Sequence, residues 1–100
     1  MEPQIKRQGE CLVITLSGRI DHQQVDELKL PLAMAEASRA QQVELDFAAV
    51  SYIGSTGIAL LVQFYKGLAA RGGRMALNNL SPSIAEVFRT LKLNQFFKLD

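Results

Sequence analysis

Two hydroxyls flanked by glycines, in Gly54-Ser55-Thr56-Gly57, are the residues of this chain whose types and spacing best suit chemistry. They stand where the apolar and acidic stretch from Val43 gives way to helical spacing that begins at Ile58. A helix start offers unpaired backbone N–H groups and the positive end of the helix dipole, and both favour an anion. Four readings follow. Ser55 can be the N-cap, with the glycines permitting a tight turn. The turn can cradle a phosphate, although it lacks the Gly-Lys-Ser/Thr ending of a P-loop. It can be a nucleophile elbow, although it does not fit G-x-S-x-G and no second histidine supplies a base. Or Ser55 can be a phosphoacceptor, its phosphate stabilised by the N–H groups that otherwise bond the hydroxyl.

Few other side chains compete for a chemical role. The lone Cys11 allows no intrachain disulfide and no zinc knuckle, and on a buried strand it reads as an inert small hydrophobe. The lone His22 leaves little with which to build a metal site or a Ser-His triad. Without an acid, a base and a nucleophile in one set, neither a catalytic residue nor a cofactor is expected, and the chain reads as a non-enzyme. A net charge of +1 removes the electrostatic case for a nucleic-acid partner. No apolar run is long enough to span a membrane, so no membrane insertion is expected. The opening Met1-Glu2-Pro3-Gln4 does not resemble a signal peptide, which points to a cytoplasmic protein. The basic residues of the second half, such as Lys66, Arg71 and Arg89, are scattered and read as solvated helix faces.

The elements that must position the hydroxyls can be read from spacing. Cys11 to Ser17, ending at Gly18, is a β-branched strand, and Ile5 to Arg7 pairs with it across a turn at Gln8-Gly9-Glu10. Asp21 with Gln24 resembles a capping box, so Asp21 is expected to cap a first helix running to Arg39 and kinked at Pro31. Val43 to Phe47 alternates as a strand, followed by a connector from Ala48 to Ile53. A second helix spans Ile58 to Arg71, with an apolar stripe of Ile58, Leu61, Val62, Tyr65 and Leu68, and stops at Gly72-Gly73. Arg74 to Leu77 is a strand, Ser81-Pro82 opens a third helix, and Phe96-Phe97 makes a last short strand. The order β-β-α-β-α-β-α-β in 100 residues implies one α/β domain over 1–100, with a mixed, mostly parallel sheet and covering helices. In such sheets function gathers where a strand end feeds a helix, here at Gly18 to Asp21 and at Ile53 to Gly57.

The ordered set Val43-Glu44-Leu45-Asp46-Phe47, Tyr52-Ile53 and Ser55-Thr56-Gly57 resembles the core of STAS domains, the anti-sigma factor antagonists. Gly18-Arg19-Ile20-Asp21, Gly72-Gly73, Ser81-Pro82 and Leu91-x-Leu93 with Phe96-Phe97 are similar to further parts of that family, so the likeness spans nearly the whole chain. One position departs: Gly54 stands where antagonists of the family usually carry Asp before the phosphoacceptor serine.

The resemblance implies a regulatory module that does no catalysis. It would bind an anti-sigma factor that is also an ATP-dependent serine kinase, lose that partner on phosphorylation at Ser55, and be reset by a PP2C-type phosphatase. Asp21, Gly54, Ser55, Thr56 and Gly57, with Leu60 and Phe64 as an apolar part, would form the partner surface. For each, a structural reading stands beside this one: capping for Asp21, a first-turn polar residue for Thr56, core packing for Leu60 and Phe64. The resemblance also leaves a second role, a STAS subunit of a membrane lipid-transport ABC system.

Overall fold

The computed structural model describes residues 3–96, Lys98 and Leu99. The chain opens as a hairpin, β1 (Gln4–Gln8) running antiparallel to β2 (Cys11–Ile20) across Gly9-Glu10. Gly9 has φ +63°, a left-handed conformation that glycine takes without strain in a two-residue hairpin loop. Three crossovers then add strands to the same sheet: α1 (Val25–Ser38) leads to β3 (Gln42–Ile53), α2 (Ser55–Ala70) to β4 (Arg74–Asn78), and α3 (Pro82–Thr90) to β5 (Lys98–Leu99). Spatial order follows chain order, β1-β2-β3-β4-β5, and every pair after the hairpin is parallel. The expected mixed, mostly parallel α/β sheet is therefore the observed one.

Register explains the core. Leu12, Val43 and Met75 lie side by side across β2, β3 and β4, as do Ile14, Leu45 and Leu77, and all six are buried. Leu28 and Leu32 of α1, Leu61 and Leu68 of α2, and Ile84 and Phe88 of α3 join them in one apolar cluster. Phe47 and Phe88 meet edge to face at 6.4 Å. Residues between the buried ones, such as Cys11, Glu44 and Asn78, are half-buried on the opposite face.

β3, at 12 residues, is more than twice the length expected from Val43 to Phe47. What reads as a connector, Ala48 to Ile53, continues the strand, because β3 carries one extra residue against β2 at each of two bulges. Between Thr15 and Ser17 β3 advances from Asp46 to Ala49, and between Gly18 and Arg19 it advances from Val50 to Tyr52. Burial then falls on every third residue, Phe47, Val50 and Ile53, which hides the two-residue alternation of a strand. Gly18, at φ +77°, carries β2 through the second bulge, so β2 ends at Ile20 and not at the glycine.

Two helices and the last strand also differ from expectation. α1 begins at Val25 with Gln24 as its cap position and not at Asp21, while it runs through Pro31 as the single helix that was expected. On α2, Phe64 is buried with Gly57, Ile58, Leu61 and Leu68, while Val62 and Tyr65 are half-buried at its margin. The last strand lies at Lys98–Leu99; Phe96 precedes it at the end of a 3-10 turn, and Phe97 lies outside the described residues. The end of α2 follows expectation: Gly72 has φ +81°, and the Gly73 amide donates to the Leu68 carbonyl at 2.8 Å in a Schellman closure. The third helix opens as the sequence predicts, with Ser81 Oγ accepting from the Ile84 amide at 3.4 Å and Pro82 at the first helical position.

Candidate functional site

Because β2 and β3 are parallel neighbours, their C-terminal ends emerge side by side, and the two strand–helix junctions become one site. Ile20 pairs with Ile53, and the next residue of β3's chain, Gly54, donates its amide to the Ile20 carbonyl at 2.8 Å. Gly54 is the N-cap of α2, extended at φ −96° and ψ 176°, and its carbonyl accepts the first helical bond, from Ile58 at 3.0 Å. Ser55 is therefore the first helical residue and not the cap, which corrects the capping reading of its hydroxyl. No side chain caps α2, and Ser55 and Thr56 are both exposed. The amides of Ser55, Thr56 and Gly57 consequently have no acceptor within the helix.

Gly57 supports this corner from below. A Cβ there would stand 2.9 Å from Ile20 Cγ2 and 3.2 Å from Ile53 Cγ1, so only glycine lets the helix start sit this close to the ends of both strands. Gly57 is buried, as is Phe64 two turns on, which packs into the core; Leu60 is half-buried. Leu60 and Phe64 line a shallow cleft of about 330 Å³ between α1 and α2 with Lys29, Leu32 and Glu36. The outward part of the predicted surface is thus Asp21, Gly54, Ser55 and Thr56, with Leu60 at its rim and Gly57 and Phe64 beneath it.

Asp21 is brought to the site but does not cap α1. Its Oδ1 accepts from the Gln23 amide at 3.0 Å, closing a turn before the helix, and no side chain caps at Gln24. Its Oδ2 lies 3.7 Å from Nε of Arg19. The Arg19 guanidinium in turn stacks on Tyr52, 4.4 Å from the ring centroid. Sequence reading passed over Arg19 and Tyr52 because their pairing depends on the second bulge; the signal was an arginine and an aromatic, each one residue before the end of its strand.

Cys11 belongs to a different part of the sheet. Its Sγ donates to Glu44 Oε2 at 2.9 Å, and Asn78 Nδ2 donates to the other oxygen at 3.0 Å. Burial and the neighbouring carboxylate push the thiol up to about 11, while the bonds from Cys11 and Asn78 hold the Glu44 carboxyl below its usual range. The thiol is a bonded polar group, which replaces the expectation of a small hydrophobe. Among the described residues no three of His, Cys, Asp and Glu gather so as to hold a metal ion, and no helix is long and apolar enough to cross a membrane.

The α/β scaffold thus displays an exposed serine and an Arg–Tyr–Asp cluster at one strand–helix corner held by backbone bonds. The chain belongs to the STAS domain family, whose model matches residues 2–100. It is 26% identical over 89 residues to an anti-sigma F factor antagonist of Paenibacillus polymyxa, covering 88% of this chain and 74% of that one. Its backbone matches the anti-sigma factor antagonist SpoIIAA in its unphosphorylated form with a TM-score of 0.77 at 26% identity, covering 98% and 86% of the two chains. The phosphorylated form of SpoIIAA, described as a Bacillus cell fate determinant, matches with a TM-score of 0.76 at 27% identity, covering 98% and 90%.

Proposed function

We propose that this protein is an anti-sigma factor antagonist switched by phosphorylation at Ser55. The observation that carries the reading is the Ser55 hydroxyl itself: exposed, unbonded, and at the first residue of a helix whose cap position has no side chain. The unmodified protein binds an anti-sigma factor that is also a serine kinase, through Asp21, Gly54, Ser55 and Thr56, with Leu60 at the rim and Gly57 and Phe64 holding the corner in place. The kinase moves the γ-phosphoryl group of ATP to Ser55: the O–P bond to serine forms as the bond to ADP breaks, and the hydroxyl proton passes to a base of the kinase. A PP2C-type phosphatase returns the hydroxyl by hydrolysis.

The phosphate adds about −1.5 to −2 charge. Inside a partner interface that charge must be desolvated, and a penalty of about 3–4 kcal/mol weakens binding by two to three orders of magnitude. The near-equal likeness to both forms of SpoIIAA supports a switch that works by surface charge and leaves the fold in place. Incubation with the cognate kinase and radiolabelled ATP should place label on Ser55 and release the complex. Label confined to other residues, or a partner of permease type that binds both forms alike, would overturn the reading.

A further inference from the structure

The Arg19 guanidinium has two contacts, and the same two residues border the side of Gly54 where a side chain would stand. Its Cζ lies 4.4 Å from the Tyr52 ring centroid and its Nε 3.7 Å from Asp21 Oδ2. A Cβ at Gly54 would stand 3.5 Å from Tyr52 Cε2, 3.5 Å from the Tyr52 hydroxyl oxygen and 3.8 Å from the Asp21 Cα. Tyr52 and Asp21 therefore border the position that directly precedes Ser55, and Arg19 contacts both of them. Neither the backbone there, at φ −96°, nor the space demands glycine, so a side chain would fit there in ordinary contact with Tyr52 and Asp21. Gly54 leaves that place without a carboxylate. Among the described residues the one ion pair of Arg19 is the contact to Asp21, longer than the roughly 2.7–2.9 Å of a strong charge-assisted bond. The Arg19 side chain is 62% exposed.

We infer that Arg19 is the cation that receives a phosphate carried by Ser55, its guanidinium leaving Asp21 for the phosphate while the Tyr52 ring keeps it at the site. The inference rests on the reading of Ser55 as a phosphoacceptor and says how the modified surface is arranged. A phosphate carries more charge than the Asp21 carboxylate and offers three acceptor oxygens to a planar fork of five N–H donors. Modification then alters the surface in two places: it adds charge at Ser55 and unmasks the carboxylate of Asp21.

The test needs no kinase. Phosphoserine is incorporated at position 55 during translation, and the second ionisation of its phosphate is followed by phosphorus NMR. The charged and titratable groups around it are Arg19 from β2, Asp21 and His22 from the following turn, and Tyr52 from β3; the first turn of α2 carries no acidic residue. Imidazoles as a class ionise in the same range as the second proton of a phosphate, so all proteins carry His22→Gln. With Arg19 present the phosphate should ionise at a pH lower by roughly half a unit or more than in Arg19→Ala. Arg19→Lys should fall between them, and Asp21→Asn should lower the value further by removing the competitor. Equal values with and without Arg19 would overturn the contact, whether or not the cell ever phosphorylates Ser55. Absence of Ser55 phosphopeptides after treatment with the cognate kinase would instead overturn the phosphoacceptor reading and leave a measured Arg19 shift standing.

Discussion

The Gly54 amide donates to the Ile20 carbonyl at 2.8 Å, joining the last residue before α2 to the last residue of β2. Ser55 follows this bond directly, so its hydroxyl is held by two adjacent strands as well as by its own helix. A serine seated this way has little freedom to report modification by moving the backbone. The chemistry of the surface has to carry the signal.

Gly57 and Gly54 should respond oppositely to the same substitution. Gly57→Ala drives a methyl group into Ile20 and Ile53, both β-branched and stiff, and should cost about 1–3 kcal/mol. Gly54→Ala has room and an ordinary extended backbone, so it should change stability by less than about 0.5 kcal/mol. Urea denaturation of both variants checks this, and equal midpoints would count against the close approach at Gly57.

Ser55→Ala should fold and melt like the parent, because the Ser55 side chain makes no capping bond to lose. Ser55→Asp should be equal or more stable by about 0.3–1 kcal/mol, an acidic group in the first turn being favoured by the helix dipole. Against the anti-sigma partner the order reverses, with alanine retaining affinity and aspartate losing much of it. Calorimetry giving both variants the same affinity would refute the electrostatic switch.

Phosphorylation of Ser55 should leave the melting temperature unchanged or slightly raised. Ile58, Leu61, Phe64 and Leu68 anchor α2, and a negative charge at its N-terminal end gives it no reason to unwind. Amide shifts should concentrate between Gly54 and Ala59 and around Arg19 to His22. Changes spread through the sheet, or a melting point lower by many degrees, would mean a switch that works by unfolding.

Cys11 should resist thiol reagents at neutral pH in the folded protein. Its proton is retained up to about 11, against an ordinary 9.0, so between those values the folded state holds a proton that the unfolded chain has released. Its contribution to stability is therefore full below pH 9 and is lost as pH rises through 11. Glu44 works from the acid side: its depressed carboxyl supports the fold above the ordinary 4.5 and loses that contribution as pH falls below it. Glu44→Gln should speed maleimide labelling of Cys11 at pH 8, by removing the carboxylate that accepts its proton. Unchanged labelling would show that Glu44 does not hold the thiol.

Much of this fold is written in local signals. The alternation at Leu12-Val13-Ile14 and Val43-Glu44-Leu45, the Ser81-Pro82 start and the Gly72-Gly73 stop each act within a few residues, and each is found where it was expected. Asp21 shows the limit: a carboxylate three residues before a glutamine satisfies a capping pattern, yet here it closes a turn and the helix starts later. Phe64 and Tyr65 show another, since two aromatics in succession leave the buried face open until the sheet chooses between them. The site was legible as a serine at a helix start. Its neighbours Arg19 and Tyr52 were not, because only the register of two strands distant in the chain brings them together.

The two bulges let β3 use two more residues than β2 in reaching the same corner. Each absorbs a residue without advancing the strand against its neighbour, so twelve residues of β3 keep level with ten of β2. Loop length at this corner is thereby stored inside the sheet. Deleting Ala48 or Ser51 would turn a bulge into regular pairing and leave the corner in place, because the residue removed is the extra one: Ile53 would still lie beside Ile20 and Gly54 would still donate to its carbonyl, with Ser55 where it now stands.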